Sequence, residues 1–281
     1  MARAKLNLAL HVTGQCAKGT PHGGYHTLHS LVAFADFGDE VRVQRSSADK
    51  LTVDGPFSAG VPALEQNTLG SALKMVRQWG HDDLAMAPVA ISLTKNLPVA
   101  SGIGGGSADA AALIALLTKN RTLSATEASD VLALGADVPM CLAGCSAIIS
   151  GIGETIAPVE LPGCALVLVN PRVGVETPSV FRALAEKINP PLQDWSSPEK
   201  FADLVRYLHM SRNDLMAPAI GLAPEIAQCL AALASAPFSR MSGSGATCFA
   251  LCETMIDAEK LAAKTQDAHP DWWVRAGNLS C

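Results

Sequence analysis

Leu97-Pro98-Val99-Ala100-Ser101-Gly102-Ile103-Gly104-Gly105-Gly106-Ser107-Ala108-Asp109 is the stretch that decides the fold. It lies between a predicted strand at Val89–Thr94 and a predicted helix at Ala108–Leu117. Its four glycines leave backbone N–H groups uncovered where the chain enters the positive end of a helix, an arrangement that binds phosphate groups. A plain strand-to-helix connection is the alternative, but it would not need four glycines, each of which costs backbone entropy. The stretch therefore predicts a polyphosphate-binding loop.

Spacing excludes two common kinds of phosphate loop. The P-loop pattern requires a lysine directly after its last glycine, and none follows these glycines. Gly102 and Gly104 fit the start of the dinucleotide-binding pattern, but its third glycine would fall on Ser107. No strand ending in an acidic residue follows about 20 residues later, as that pattern also requires. The pattern that remains is Pro-x-x-x-Gly-x-Gly-Gly-Gly-Ser-Ala.

The composition limits the class of protein. The chain has 281 residues, of which 49 % are hydrophobic and 17 % charged, so material for a core is ample. The net charge of −5 and the lack of a basic block argue against a nucleic-acid partner. No apolar run approaches the ~20 residues of a membrane span. Arg3, Lys5 and Asn7 interrupt the first apolar stretch, unlike a signal peptide. We therefore expect a cytoplasmic protein whose eight scattered cysteines are reduced thiols.

Periodicity predicts a mixture of strands and helices. Leu6–Val12 alternates as a half-buried strand, with Lys5 and Asn7 on its polar face, and the glycine-rich residues Gly14–Tyr25 form a loop or flap. Further strands are predicted at Glu40–Gln44, Val89–Thr94, Ser146–Ser150, Ala165–Val169, Thr247–Cys252 and Trp272–Ala276. Besides the helix at Ala108–Leu117, helices are predicted from the Asn67 cap to Trp79, from the Ser124–Glu127 capping box to Gly135, and at Pro178–Lys187, Pro198–His209, Pro224–Ser235 and Ile256–Asp267. The expected fold class is α+β, with an amino-terminal domain over 1–150 and a carboxy-terminal domain over 151–281 that meet at a cleft.

Two charged residues are candidates for phosphoryl-transfer chemistry. This reaction has a loose transition state in most analyses, so it depends on an anion cradle, a fixed cation and a carboxylate near the acceptor alcohol. Lys5 is the candidate cation and Asp137 the candidate carboxylate. From spacing alone, an ordinary surface lysine and a helix cap after Gly135 explain these residues equally well or better. Both alternatives stay open at this point.

Five segments together resemble the GHMP kinase superfamily, which comprises small-molecule kinases without a P-loop. In order, they are Ala4–Leu8, Gly24–Leu28, Pro98–Ala111, Gly135–Pro139 and Ser242–Phe249. Gly24-Tyr25-His26-Thr27-Leu28 resembles the branch that acts on an erythritol linked to cytidine diphosphate, on the non-mevalonate route to isoprenoids. Three positions depart from this pattern. Gly23-Gly24 stands where that branch often has Asp-Gly, and in the glycine loop Ser101 stands where Gly or Ala is common and Ile103 where Leu is. The departures concern the rigidity of the loops.

The resemblance implies a GHMP-kinase-like two-domain fold, ATP as donor, Mg²⁺ with the ATP, and a role for each candidate residue. Asp137 would be the catalytic base and Lys5 its charged neighbour. The residues implied in ATP binding are Pro98, Ser101, Gly102, Gly104, Gly105, Gly106, Ser107 and Ala108. Those implied in substrate binding are Asn7, Tyr25, His26, Thr177, Phe181, Ser242 and Gly243. Core packing remains an alternative for Phe181, and a structural turn remains one for Ser242-Gly243-Ser244-Gly245.

Three points are left open by the sequence. The first is the acceptor, since another GHMP-type alcohol kinase is the main alternative. The second is activity, since a nucleotide-binding regulator of the same fold that has lost catalysis is a further alternative; the presence of both Lys5 and Asp137 argues against it. The third comprises the metal ligands and the oligomeric state.

Overall fold

A computed structural model describes residues 1–19, 23–80 and 82–280 of the chain. The chain divides into two compact units that alternate along the sequence. The first unit comprises Met1–Ala4, Phe37–Val99 and Gly104–Gly144, and the second comprises Lys5–Asp36, Ala100–Ile103 and Cys145–Cys281. The assignment of domains to 1–150 and 151–281 stays a prediction.

The elements are named here in chain order. The strands are β1 (Ala2–Gln15), β2 (His26–Arg45), β3 (Lys50–Asp54), β4 (Val89–Thr94), β5 (Ala147–Gly151), β6 (Thr155–Pro158), β7 (Ala165–Asn170), β8 (Phe238–Met241), β9 (Cys248–Cys252) and β10 (Trp273–Ser280). The helices are α1 (Thr68–Trp79), α2 (Asp83–Met86), α3 (Gly105–Leu117), α4 (Ala125–Leu134), α5 (Val138–Ala143), α6 (Thr177–Ala183), α7 (Phe201–His209), α8 (Met216–Leu222), α9 (Glu225–Ala232) and α10 (Met255–Ala268). None of the helices in the described ranges is long and apolar enough to cross a membrane.

The first unit combines a small sheet with packed helices. β3 runs parallel to β4, and β4 runs antiparallel to the second half of β2, with Glu40 opposite Thr94. α1 begins where the Asn67 side chain accepts a hydrogen bond from the Leu69 amide, and it ends at the left-handed Gly80. The buried side of α1 and the nearly all-apolar α3 pack in one core with β4. This packing fixes the amino-terminal end of α3, where the glycine loop ends.

The second unit is built on an antiparallel sheet. β10 pairs with both β2 and β7, and β9 lies between β7 and β8. β5 pairs with the first half of β2 and with β6. β7 is buried along its whole length, and its residues Ala165, Val167 and Val169 pack in a core to which helices α6, α8, α9 and α10 contribute. The sheet therefore provides a rigid support for residues at the ends of β1, β2 and β9.

Several predicted boundaries are corrected by the structure. The strand expected at Glu40–Gln44 is only the end of the 20-residue β2. The helix expected through Lys187 ends at Ala183, because Leu184 takes an extended conformation and the following segment is hydrogen-bonded to β1. The turn expected after Asp137 is the short helix α5. β3, β6, β8, α2 and α8 were not predicted. The other predicted elements agree to within a few residues.

Two sequence predictions fall partly outside the described residues. The loop at Gly14–Tyr25 includes Thr20, Pro21 and His22, which are not described. Each cysteine in the described ranges is a free thiol, and Cys281 lies outside those ranges.

Candidate active site

The predicted phosphate loop follows β4 and ends in the first turn of α3. Pro98 and Ser101 are buried, whereas Gly106 is exposed in the first turn of the helix. Gly104 is the residue that precedes α3, in the left-handed region at φ 66°, so no side chain caps the helix. Gly105, Gly106 and Ser107 then supply the first three amides of α3, and Ala108 closes the turn by donating its N–H to the Gly104 carbonyl oxygen. The helix start is therefore open to an anion.

Gly102 must be a glycine for two independent reasons. Its φ of 76° lies in the left-handed region, which side chains disfavour. In addition, a Cβ atom at this position would lie 2.5 Å from the Ser242 carbonyl oxygen and 2.6 Å from that of Gly245. The glycine loop and the Ser242–Gly245 turn are thus in direct backbone contact within the second unit. The Thr247 amide also donates to the Ser101 carbonyl oxygen, at 3.1 Å.

A buried hydrogen-bond network joins β1 to this turn. Lys5 is 3 % exposed, and its Nζ donates to Asn7 Oδ1 at 2.8 Å. The Asn7 amide donates to Ser242 Oγ at 3.1 Å, and Ser242 Oγ donates in turn to the Gly102 carbonyl oxygen at 3.0 Å. A Cβ at Gly243 would lie 3.3 Å from Asn7 Oδ1, so the turn also approaches the Asn7 side chain. Lys5 is thus a buried, positioned cation rather than an ordinary surface lysine.

A second group of predicted residues lies between the start of β2 and α6. The His26 and Phe181 rings are stacked, with centroids 4.7 Å apart and planes 18° apart. Thr177 at the start of α6 shares a 2.7 Å hydrogen bond with Ser244 of the glycine turn. Phe181 is also partly buried against the core of the second unit, so this residue both packs on the core and stacks on His26. Tyr25 is 57 % exposed.

The His26 imidazole is a polar group that is partly enclosed. Burial, with a smaller contribution from the Lys187 cation, lowers the pKa of His26 below its ordinary value. Its Nε2 atom is buried and has no hydrogen-bond partner among the described residues. A buried nitrogen without a partner is costly, so this atom is suited to a ligand that supplies one.

Asp137 is in the first unit, at the amino terminus of α5. It occupies the capping position of that helix, yet its side chain makes no capping hydrogen bond. The carboxylate is therefore not used for the structural role that spacing alone left open. α5 packs against α3, and Ser107 Oγ lies 3.9 Å from the position of a Cβ at Gly135. The segment that carries Asp137 thus runs beside the phosphate loop.

A buried charge cluster under the loop was missed by sequence reasoning. Lys95 Nζ donates to Asp39 Oδ2 at 2.5 Å and to Asp109 Oδ2 at 2.7 Å, and each side chain is at most 5 % exposed. Asp39 Oδ1 accepts hydrogen bonds from the Asn96 and Leu97 amides, which lie at the start of the loop, whereas Asp109 belongs to α3. A Cβ at Gly105 would lie 3.1 Å from Lys95 Nζ. The cluster thus ties both ends of the loop together.

The cluster holds two carboxylates for one ammonium group. Burial raises the pKa of Asp109 to about 7; the Lys95 ammonium opposes this rise and the Asp39 carboxylate adds to it. Asp109 Oδ1 is buried without a hydrogen-bond partner in the described part of the chain. The sequence did contain one clue, an aspartate inside the apolar helix α3, but no pattern indicated its partners.

Each unit therefore holds a coherent part of the predicted site. The second unit contains the Lys5 network, the glycine turn and the His26–Phe181 stack. The first unit contains the open start of α3, the Lys95 cluster and the Asp137 segment. The class of protein that these features define is one that binds phosphate groups at a glycine loop and a helix start, without a P-loop.

Family models match both halves of the chain. The model of the GHMP kinases N terminal domain matches residues 67–146, and that of the GHMP kinases C terminal matches residues 171–271. Together with the relatives described next, these matches establish that the chain belongs to the GHMP kinase family. The α+β fold class predicted from the sequence is confirmed.

The curated relatives narrow the comparison to one kind of kinase. A 4-diphosphocytidyl-2-C-methyl-D-erythritol kinase of Cereibacter sphaeroides is 46 % identical over 288 residues, which cover 99 % of this chain and 98 % of the relative. The enzyme of the same name from Paracoccus denitrificans is 46 % identical, with 99 % and 96 % covered.

Solved structures agree with this comparison. A crystal structure of 4-(cytidine 5′-diphospho)-2C-methyl-D-erythritol kinase matches with a TM-score of 0.77 and 28 % identity, covering 100 % of this chain and 98 % of that one. A homoserine kinase from Cytophaga hutchinsonii matches with a TM-score of 0.60 at 16 % identity over 100 % of this chain and 95 % of that one, so it shares the fold.

Proposed function

We propose that the chain is an ATP-dependent kinase that phosphorylates the 2-hydroxyl of 4-(cytidine 5′-diphospho)-2-C-methyl-D-erythritol, in the cytoplasm, on the non-mevalonate route to isoprenoid precursors. The main structural support is the buried network that runs from Lys5 through Asn7 and Ser242 to Gly102 of the glycine loop. It fixes a cation relative to backbone groups suited to phosphates. The relatives of the same activity, nearly half identical over the full length, support the choice of acceptor.

The nucleotide would bind with its phosphates at the start of α3. Gly104, Gly105, Gly106 and Ser107 offer backbone N–H groups there, and each helix-end contact contributes about 0.3–1 kcal/mol when exposed. The described residues contain no group of three or more His, Cys, Asp or Glu that could hold a metal ion. Mg²⁺ commonly binds through substrate phosphates and water with few protein ligands, so we infer that it would arrive with ATP. Bound there, it would neutralise charge on the phosphates.

Asp137 and Lys5 would carry the chemistry. Asp137 would accept the proton of the attacking hydroxyl as general base. Lys5 would stabilise the negative charge that spreads over the transferring phosphoryl group. Two observations support these roles: the Asp137 side chain makes no capping hydrogen bond with α5, and Lys5 is buried with its ammonium held by Asn7. Asn7 would also contact substrate hydroxyl or phosphate groups.

His26, Phe181, Tyr25 and Thr177 would bind the cytidine end. A neutral imidazole can donate from one nitrogen and accept at the other, which suits the mixed edge of cytosine. Among the described residues, none is a hydrogen-bond partner of His26 Nε2. A base inserted between two rings needs about 7 Å between their centres, twice the usual contact distance. The His26 and Phe181 centroids are 4.7 Å apart, so the base would stack on an outer face or separate the two rings.

The test is a coupled assay of ADP release with the cytidylated erythritol, and with mevalonate, homoserine and galactose in parallel. We expect release with the cytidylated alcohol alone, and inhibition by free CDP. Release with one of the other alcohols would assign the chain to a different GHMP-type kinase. Nucleotide binding without release for any acceptor would make it an inactive regulator. Asp137→Asn should lower kcat by about 10²–10⁴-fold with ATP binding retained; near-normal turnover would remove its role as base.

A further inference from the structure

Ser30 lies in the first half of β2 and is fully buried. Its hydroxyl oxygen contacts two groups. Asn7 Nδ2 donates to Ser30 Oγ at 2.8 Å, and Ser30 Oγ donates to the Ala9 carbonyl oxygen at 2.5 Å. All of these residues, and Lys5, belong to the second unit. Ser30 is therefore one step removed from the candidate catalytic cation.

The direction of each hydrogen bond follows from the partners. A carbonyl oxygen only accepts, so the single hydroxyl hydrogen of Ser30 must point to Ala9. The Ser30 oxygen is then left as an acceptor, and the Asn7 group that faces it must be the NH₂. The Asn7 amide oxygen consequently faces the other way, toward Lys5 Nζ at 2.8 Å. The Ser30 oxygen and the Lys5 ammonium thus require the same orientation of the Asn7 amide.

The opposite orientation would place two donors face to face. If the Asn7 amide were reversed, its NH₂ would point at the Lys5 ammonium, which has donors only. Lys5 is 3 % exposed, so water could not readily replace the lost acceptor. The Asn7 amide oxygen therefore helps to aim the ammonium, and Ser30 helps to hold that amide.

We propose that Ser30 is a positioning residue for the phosphoryl transfer, which it serves by locking the Asn7 amide so that its oxygen holds Lys5. The inference rests on the proposed function of Lys5. A misplacement of a catalytic group by about 1 Å can cost 10²-fold in rate. Loss of the Ser30 hydroxyl should therefore lower kcat by about 10- to 100-fold. ATP binding should not change, because the helix-start amides and the Lys95 cluster are untouched.

The experiment compares Ser30→Ala with Ser146→Ala in the ADP-release assay. Ser146 is a matched control because it is also buried, at 1 % exposed, and its hydroxyl has no hydrogen-bond partner in the described ranges. We expect kcat to fall about 10- to 100-fold in Ser30→Ala and to stay within about twofold of wild type in Ser146→Ala. The KM for ATP should stay within about twofold in both. If Ser30→Ala does not fold, Ser30→Cys is tested for the same loss.

A double variant separates positioning from general damage. In a Lys5→Met background, Ser30→Ala should cause no further loss in kcat, because the group that it positions is gone. Equal kcat values for Ser30→Ala and Ser146→Ala would overturn the proposal. So would a Ser30→Ala loss that persists undiminished in the Lys5→Met background. An inactive wild-type protein, or a Lys5→Met variant with normal kcat, would instead contradict the proposed function itself.

Discussion

Replacing Asp109 with asparagine is expected to stabilise the protein above neutral pH and to have much less effect in mild acid. In the wild type, Asp109 is 3 % exposed and shares the Lys95 ammonium with Asp39. Burial raises the pKa of Asp109 from 3.8 to about 7, with the Asp39 carboxylate adding to the rise. The folded protein therefore keeps this proton up to about pH 7, whereas the unfolded chain releases it near pH 4.

The sign and size follow from proton linkage. Between about pH 4 and pH 7 the folded state binds one more proton at this site than the unfolded state, so stability falls as pH rises. A change from 3.8 to about 7 corresponds to at most about 4 kcal/mol over the whole interval. From pH 5 to pH 8 the part lost is about 2–3 kcal/mol. Asparagine has no proton to lose, and its amide can accept from Lys95 and donate to Asp39.

The measurement is urea unfolding followed by tryptophan fluorescence at pH 5, 6, 7 and 8. The free energy of unfolding of Asp109→Asn minus that of wild type should grow by about 2–3 kcal/mol from pH 5 to pH 7 and then level off. Asp49→Asn is the control of opposite sign, because the hydrogen bond from Arg77 lowers the pKa of Asp49. That variant should be less stable than wild type at all four pH values. A constant difference for Asp109→Asn across the series would refute the reasoning.

Three further predictions concern the second unit. Arg240→Met should lower the free energy of unfolding by about 3 kcal/mol or more, measured by urea unfolding, because the buried guanidinium donates to the carbonyl oxygens of Leu8, Leu208 and Ser211. His11→Gln should remove an acid-induced loss of stability below about pH 6.5, of at most about 1.4 kcal/mol per pH unit. Burial lowers the pKa of His11, and its Nε2 atom accepts a hydrogen bond from the Arg212 amide only when the ring is neutral. The stability from this interaction is therefore present above pH 6.5 and lost on acidification. Equal pH dependence of stability in the variant and the wild type would contradict this prediction. Phe181→Ala should raise the KM for the cytidylated alcohol by about tenfold with the KM for ATP unchanged, and equal changes in both would argue against a cytidine contact.

The sequence predicted those parts of the site that are local in the chain. The glycine loop could be predicted because its residues are consecutive and each of them has strict backbone requirements. The alternation of Leu6–Val12 put Lys5 and Asn7 on one face, and the structure joins them by a hydrogen bond. The resemblance of the Gly24–Leu28 segment suggested an acceptor that the relatives share. The cleft between domains and the residue roles stay predictions.

The parts that the sequence did not reveal depend on contacts between distant residues. Ser30 is separated from Asn7 by 23 positions, and Lys95 from Asp39 by 56. Nothing in the local pattern around Asp39 or Ser30 distinguishes them from ordinary strand residues. The end of α6 was misplaced for a similar reason. Helix propensity favours continuation to Lys187, but Asn189 bonds to the carbonyl oxygen of Val12, far away in the sequence.

The position of β10 has a consequence for synthesis. This last strand is inserted between β2 and β7, with Leu279 opposite Ala35 and Val274 opposite Val169. During translation, the sheet of the second unit cannot be completed until β10 has left the ribosome. A nascent chain stopped before Trp273 would expose two strand edges, which are sites for aggregation and chaperone binding. Loss of β10 should therefore be far more damaging than the eight residues of this strand suggest.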